Sequence, residues 1–416
     1  MKIALYGVSN SGKDYFINRA TAKIDNLSHV PGSATLRRLA LEKYGREFKS
    51  LTEAEQTDIR IAFTETAREI EEKTGHIIVD GHYAFPLGND RYNVVFTEAD
   101  RSLYDVFLYL NTEPGRIIEN QKNARPGREP EKFSLQEIEA WQAFEIKNMS
   151  PMCQNLGREL LVLDGDFSCG LDFFSELLNS PERFLPEAIA RRIVESNLSW
   201  LTGAETIILM DCDKTLSLND TTKSFCERAG KEIQTLREIF RGEYYTVYQF
   251  YRAKRYYDEV KPAARYDEAC AFAAENAPMN QALIKDILAA QIPAVTMGVT
   301  SGLVEIWSLI QKKHNFPQIV ACSAQAGRKG EYVSTMVKAA IVKELRALRK
   351  KVLALGDSPI DILMLERADQ GYLVTMPKLS SGVASYLAKT PGTKIRQLSY
   401  NLYKYAGLPE VDSIWQ

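Results

Sequence analysis

The segment Ile207-Ile-Leu-Met-Asp-Cys-Asp-Lys-Thr-Leu216 runs an apolar stretch into two carboxylates, Asp211 and Asp213, followed by Thr215. The apolar run predicts a buried parallel strand. In open α/β sheets ligands bind at the carboxyl ends of strands, which is where these acids fall. Side chains alternate along a strand, so Asp211 and Asp213 start on the same side. Carboxylates held that close repel each other unless a cation intervenes or one keeps a proton. Both outcomes serve phosphoryl chemistry, as a Mg²⁺ site or as a carboxylate nucleophile beside an acid.

A second phosphate signal opens the chain. Lys2 to Tyr6 reads as a strand leading into Gly7-Val-Ser-Asn-Ser-Gly-Lys-Asp14, a match to G-x-x-x-x-G-K at Gly7, Gly12 and Lys13. Such a loop, here including Ser9, Asn10 and Ser11, turns backbone N–H groups toward a polyphosphate. The following helix, read over about residues 14–24, adds partial positive charge and Lys13 a full one. The pattern predicts an ATP or GTP site. The Ser or Thr that usually offers Mg²⁺ a hydroxyl is Asp14 here. Asp14 is either a direct ligand or a first-turn acid favoured by the helix dipole.

These groups need scaffolds. A chain of 416 residues predicts two or three domains. With 45% hydrophobic and 25% charged residues the composition is that of a soluble globular protein. The net charge of −2 gives no global basic field for nucleic acid. Cys153, Cys169, Cys212, Cys226, Cys270 and Cys322 show no CxxC spacing and read as reduced, mostly buried thiols of a cytoplasmic protein. No apolar run reaches about 18 residues, so no membrane partner is expected. Prolines and a serine between Asn179 and Pro186 mark a boundary. The expected layout is a nucleotide-binding domain over 1–180, a linker and helix over 181–204, and a second domain over 205–416. The fold class is α/β, with two doubly wound parallel sheets.

Beyond its loop, the first domain resembles the nucleoside-monophosphate-kinase branch of the P-loop kinases. Pro31-Gly-Ser-Ala-Thr-Leu-Arg37 is similar to an acceptor-binding segment, and His76-Ile-Ile-Val-Asp-Gly-His82 to the strand whose acid, Asp80, holds metal-bound water or acceptor. Arg116, Lys122, Arg125 and Arg128 resemble the arginine-bearing lid that neutralises the transferred phosphoryl group. His82 reads equally as a structural hydrogen-bonder.

The second domain resembles the haloacid-dehalogenase phosphatases, whose motifs appear in that family's order. Asp211-Cys-Asp-Lys-Thr215 is followed by a strand ending in Thr300, Ser301 and Gly302, then Lys338, then Val352-Leu-Ala-Leu-Gly-Asp-Ser-Pro-Ile-Asp361. The resemblance implies that Asp211 attacks phosphorus to form an aspartyl-phosphate and that Asp213 serves the leaving group as acid. It implies Mg²⁺ on Asp211, the Asp213 carbonyl and Asp357, with Asp361 close behind. Thr300 and Lys338 would steady the phosphoryl oxygens, with Ser301 and Gly302 beside them, and Thr215 would orient the loop. Lys329 and Lys343 rival Lys338, and Ser301 rivals Thr300. The helical stretch over about 217–288 is similar to the cap of the phosphoserine-phosphatase-like branch, which favours small phosphomonoesters. Its aromatics, Tyr244, Tyr245, Tyr248, Phe250, Tyr251, Tyr256 and Tyr257, read first as cap core; with Arg252, Lys254 and Arg255 they are also a base-stacking surface.

The layout resembles bifunctional polynucleotide kinase-phosphatases. Near-neutral charge and the cap favour instead a phosphomonoesterase joined to a nucleotide-kinase-like domain, using Mg²⁺ and ATP on a nucleotide or small phosphorylated metabolite. A nucleic-acid end is the alternative substrate. Asp14 keeps open a third reading, in which the first domain senses nucleotide without transferring phosphate. Nothing in the sequence sets an oligomeric state.

Overall fold

The apolar runs become two parallel sheets, one in each of two units, Met1–Pro181 and Glu182–Gln416. The computed structural model describes residues 1–89, 91–122, 133–242, 244–288, 294–314, 318–321, 330–375 and 379–399.

In the first unit β1 (Lys2–Tyr6), β2 (Leu27–Pro31) and β3 (His76–Asp80) are followed by a β4 (Ala84–Gly88) and β5 (Arg91–Val94) hairpin. β6 (Val106–Leu110) and β7 (Leu160–Leu163) complete the set. The main sheet has the order β2-β3-β1-β6-β7, with every pair parallel. The hairpin stands apart as an antiparallel pair, which the sequence reading did not anticipate. β1 is flanked by strands reached in opposite directions, so the Gly7–Lys13 loop opens at the switch point of the sheet.

The second unit contributes β8 (Thr206–Met210), β9 (Ala294–Thr300), β10 (Gln318–Ala321), β11 (Lys351–Gly356), β12 (Gln370–Thr375) and β13 (Arg396–Ser399). Their order is β10-β9-β8-β11-β12-β13, again all parallel among the pairs. The chain leaves β8 toward β9 on one side and returns to β11 on the other. The carboxyl ends of β8 and β11, where Asp211 and Asp357 stand, therefore flank this sheet's switch point. The helix Pro186–Glu195 lies in this unit and packs on the helix Thr335–Ala347.

Helices Thr221–Ala229, Ile233–Ile239, Val247–Asp258, Ala263–Glu275 and Gln281–Leu288 fill the cap. Phe225, Tyr257 and Tyr266 from these helices share one apolar cluster with Met210, Leu353 and Leu355 of the sheet. Tyr248, Phe250, Tyr251 and Tyr257 are buried, so most of the cap's aromatic set is core rather than an open stacking face. Cys153, Cys169, Cys212, Cys226 and Cys270 are free and buried, and Cys322 lies outside the described residues. Among the described residues no helix is long and apolar enough to cross a membrane.

Candidate functional site

β8 hands its hydrogen bonding on past its own end. Asp211 N–H donates to Leu355 O at 2.9 Å, which fixes Asp211 beside the Gly356-Asp357 turn. The chain then folds back, with Leu216 and Ser217 N–H bonded to Cys212 O and Lys214 at a φ of 59°. Ser334 caps the helix Thr335–Ala347 by accepting from Val337 N–H, and the first turns of that helix carry Lys338. Lys338 Nζ lies 2.5 Å from Asp211 Oδ1 and 2.7 Å from Asp361 Oδ1. Lys338 and Asp361 are fully buried and Asp211 is 5% exposed. Asp361 Oδ2 accepts from Asp357 N–H (3.2 Å), Ser358 N–H (3.1 Å) and Ser358 Oγ (2.8 Å). Both Asp361 oxygens are thus committed to protein donors. Asp357 Oδ1 accepts from Thr215 Oγ1 at 3.3 Å, which ties the first and last motifs together.

Asp213 has partners of its own. Its Oδ1 accepts from Thr221 N–H at 2.7 Å and its Oδ2 from Trp307 Nε1 at 3.3 Å. Thr300 ends β9 fully buried, and its Oγ1 accepts from Gly302 N–H at 2.9 Å, leaving its own proton to donate. Ser301 spends its proton on Val333 O at 2.8 Å. A Cβ at position 302 would lie 2.7 Å from Asp213 Oδ2, so a larger residue there would displace that carboxylate. Lys343 is exposed and pairs with Glu187 at 2.7 Å, away from this cluster, and Lys329 lies outside the described residues. Asp211, Lys338, Asp361, Asp357 and Thr215 are therefore linked by hydrogen bonds, Thr300 and Gly302 by another, and Asp213 is near enough for its charge to act on Asp211. Trp307 was not foreseen, because only the tertiary fold brings its ring to Asp213.

The charges in this cluster do not balance. Burial pushes the Asp211 carboxyl up to about 7, Asp361 and Asp213 push the same way, and Lys338 opposes them. Burial and Asp220 push Asp213 up to about 6 against its bonds from Thr221 and Trp307. Asp357 is held well above the usual carboxylate range by burial, then by Asp211 and Asp361. Burial works against the charge on Lys338, but Asp211 and Asp361 outweigh it and raise its pKa. Asp211, Asp357 and Asp361 offer carboxylate oxygens within 4.8 Å of one another. Among the described residues, no hydrogen bond engages Asp211 Oδ2 or Asp357 Oδ2. An all-oxygen set with surplus negative charge fits Mg²⁺.

In the first unit the loop after β1 is built for close approach. Gly7, Asn10 and Gly12 have φ of 150°, 62° and 92°. A Cβ on Gly7 would meet Ser11 Oγ at 2.9 Å and Leu110 O at 3.0 Å. Thr112 Oγ1 donates to Ser11 O (2.6 Å) and Asn120 Nδ2 to Asn10 O (2.9 Å), holding the loop from two sides. Ser9 is half-buried. Among the described residues the buried Ser11 hydroxyl has no partner, as expected of a group that awaits an anion. Lys13 Nζ donates to Gly7 O (2.6 Å) and Val8 O (3.1 Å), and burial lowers its pKa to about 8 against Glu145, Asp80 and Asp14. Asp14 is exposed in the first turn of the helix Lys13–Lys23.

Asp80 ends β3 with its Oδ1 2.8 Å from His29 Nε2 and 3.4 Å from Gly32 N. Burial acts to raise the Asp80 carboxyl, but the bonds from His29 and Gly32 together with the charge on Lys13 hold it below its ordinary value. Arg37 is exposed and pairs with Glu47 at 3.4 Å rather than with the loop. Arg125 and Arg128 lie outside the described residues. His82 sits in an aromatic cluster, 4.7 Å from the Phe85 ring centroid and stacked toward Trp141. The reading from sequence missed Glu145, which is fully buried and accepts from Tyr83 N–H (3.2 Å), Ala84 N–H (2.9 Å) and Tyr109 OH (2.8 Å). Nothing in its helical neighbourhood distinguishes it from a surface acid.

A family model described as AAA domain matches residues 6–139. No curated protein matches the chain. Among solved structures, it is similar to the phospho-aspartyl intermediate analogue of a phosphoserine phosphatase, at 16% identity and a TM-score of 0.35, over 48% of this chain and 97% of the other. It is similar to deoxyadenosine kinase from M. mycoides at 17% identity and a TM-score of 0.27, over 43% of this chain and 100% of the other. It is similar to a chain of the Pnkp1/Rnl/Hen1 RNA repair complex at 10% identity and a TM-score of 0.25, over 96% of both. The family model falls in the first parallel α/β unit, which carries the Gly7–Lys13 loop, and the second parallel α/β unit carries the acids at the ends of β8 and β11.

Proposed function

We propose that the second unit is a Mg²⁺-dependent phosphomonoesterase working through an aspartyl-phosphate, and that the first unit binds ATP for phosphoryl transfer to a nucleotide or small metabolite. The observation that carries the reading is the buried contact of Lys338 with both Asp211 and Asp361, with Asp213 held separately on the same loop. Lys338 locks Asp211 Oδ1 and leaves Oδ2 for in-line attack. As the new bond forms, the ester P–O bond breaks and Asp213 delivers a proton to the leaving oxygen. Asp213 then takes a proton from the water that hydrolyses the acyl phosphate. Thr300 Oγ1 donates to a phosphoryl oxygen as charge redistributes. A bound Mg²⁺, held by Asp211, Asp357 and the Asp213 carbonyl, supplies charge neutralisation for the phosphoryl group. Asp361 acts by orienting Lys338 and the Asp357 turn.

The cap, sharing a core with the sheet, favours small phosphomonoesters over long polymers. Phosphate release from nucleotides, sugar phosphates, phospho-amino acids and 3′-phosphate oligonucleotides tests this, with Asp211→Asn as control. Exclusive turnover of the oligonucleotides would replace the small-substrate reading with end healing. The exposed Asp14, standing where a hydroxyl is usual, favours a second reading of the first unit as a nucleotide sensor. ATP binding without acceptor-dependent ADP formation would support it.

A further inference from the structure

We propose that Trp307 is a positioning residue for the acid–base step, its indole N–H holding the Asp213 oxygen that delivers the proton. The proposal rests on the phosphomonoesterase reading. Trp307 is fully buried in the helix Val304–His314, with Nε1 3.3 Å from Asp213 Oδ2. Thr221 N–H holds the opposite oxygen at 2.7 Å from a different helix. Gly302 leaves that oxygen its room, since a Cβ there would fall 2.7 Å from Oδ2 and 3.1 Å from Thr300 Oγ1. Oδ2 therefore faces the Thr300–Gly302 turn and Oδ1 faces the start of the helix Thr221–Ala229. The terminal torsion of an aspartate is otherwise broad, so two donors on separate elements fix a plane that the chain itself does not.

The chemistry gives that plane a use. When the bond from Asp211 to phosphorus forms, the electron pair of the breaking ester bond passes to the leaving oxygen. The proton on Asp213 Oδ2 moves to that oxygen, and Asp213 becomes a carboxylate. The indole hydrogen bond is neutral before this transfer and charge-assisted after it. It strengthens along the reaction and so favours the transition state over the bound substrate. A ring present only for packing would have no such dependence on the leaving group.

The test uses the full chain with Mg²⁺ and three probes, p-nitrophenyl, p-chlorophenyl and phenyl phosphate, whose leaving groups need a proton increasingly. Trp307→Phe should lower kcat/KM, which reports the step that expels the leaving group, by about tenfold on phenyl phosphate and by less than about twofold on p-nitrophenyl phosphate. Asp213→Asn should give the same pattern more steeply. An equal loss on all three probes, or none, overturns the role of the indole. If Trp307→Phe does not fold, 3-benzothienylalanine at position 307 keeps the ring shape and removes only the N–H, with the same outcomes expected. Asp211→Asn separates the two levels: full phosphate release in that variant sinks the phosphomonoesterase reading itself, whatever position 307 does.

Discussion

Gly356 passes so close to Asp361 that a Cβ on the glycine would lie 2.4 Å from the aspartate Cβ and 2.5 Å from its Cγ. The end of β11 is thereby molded to the acid that anchors Lys338. Gly356→Ala has no flexible neighbour to displace, because Asp361 is bonded at both oxygens. We expect a loss of about 1–3 kcal/mol in stability, read by denaturant titration. Phosphate release should fall at least about tenfold, because Lys338 moves with Asp361.

Removing the lysine tests the charge arrangement. Lys338→Met would leave Asp211 and Asp361 buried without their cation, at a cost of about 3–5 kcal/mol. Thermal unfolding should show the loss in metal-free protein, and added Mg²⁺ should recover part of it. A variant as stable as wild type without metal would contradict the charge pairing described here.

Asp357→Asn should act in the opposite direction. Asp357 is held well above its usual range by burial and by Asp211 and Asp361, so ionising it opposes folding when metal is absent. The variant should melt at or above the wild-type temperature in EDTA. It should lose the stabilisation that Mg²⁺ gives the wild type, together with phosphate release. Differential scanning fluorimetry with and without the ion reads both.

Lys13 makes nucleotide binding depend on pH. Folded, its pKa is lowered from 10.5 to about 8 by burial. Between these values the unfolded chain holds more protons than the folded one, so this group's contribution to stability rises with pH across that window. ATP binding needs the ammonium, so affinity should be flat below pH 8. Above it, affinity should fall by about tenfold per unit as proton uptake becomes part of binding. Calorimetry at pH 7 and pH 9 tests the sign. Lys13→Ala should weaken ATP binding and remove that dependence, with phosphatase turnover spared at saturating substrate.

Strand-end polar residues were the legible part of the site. Asp211, Thr300 and Asp357 each close an apolar run, a local property that alternation and length reveal. Lys338 had no such signature and was singled out only by motif order. Trp307 and Glu145 were invisible for a physical reason. Their partners lie 94 and 61 residues away, and a buried indole or acid on a helix looks like any other until the fold closes. The β4–β5 hairpin escaped because its strands are short and largely exposed, with little alternation to read.

Phe225, Tyr257 and Tyr266 share their apolar cluster with Met210 and Leu355, so the helices after β8 are cemented to the sheet. Swinging them away whole would wet several large rings, each at about 1.5–3 kcal/mol. On the phosphomonoesterase reading, entry and exit would then use a local gap rather than a hinged lid, and the width of that gap would filter what is hydrolysed.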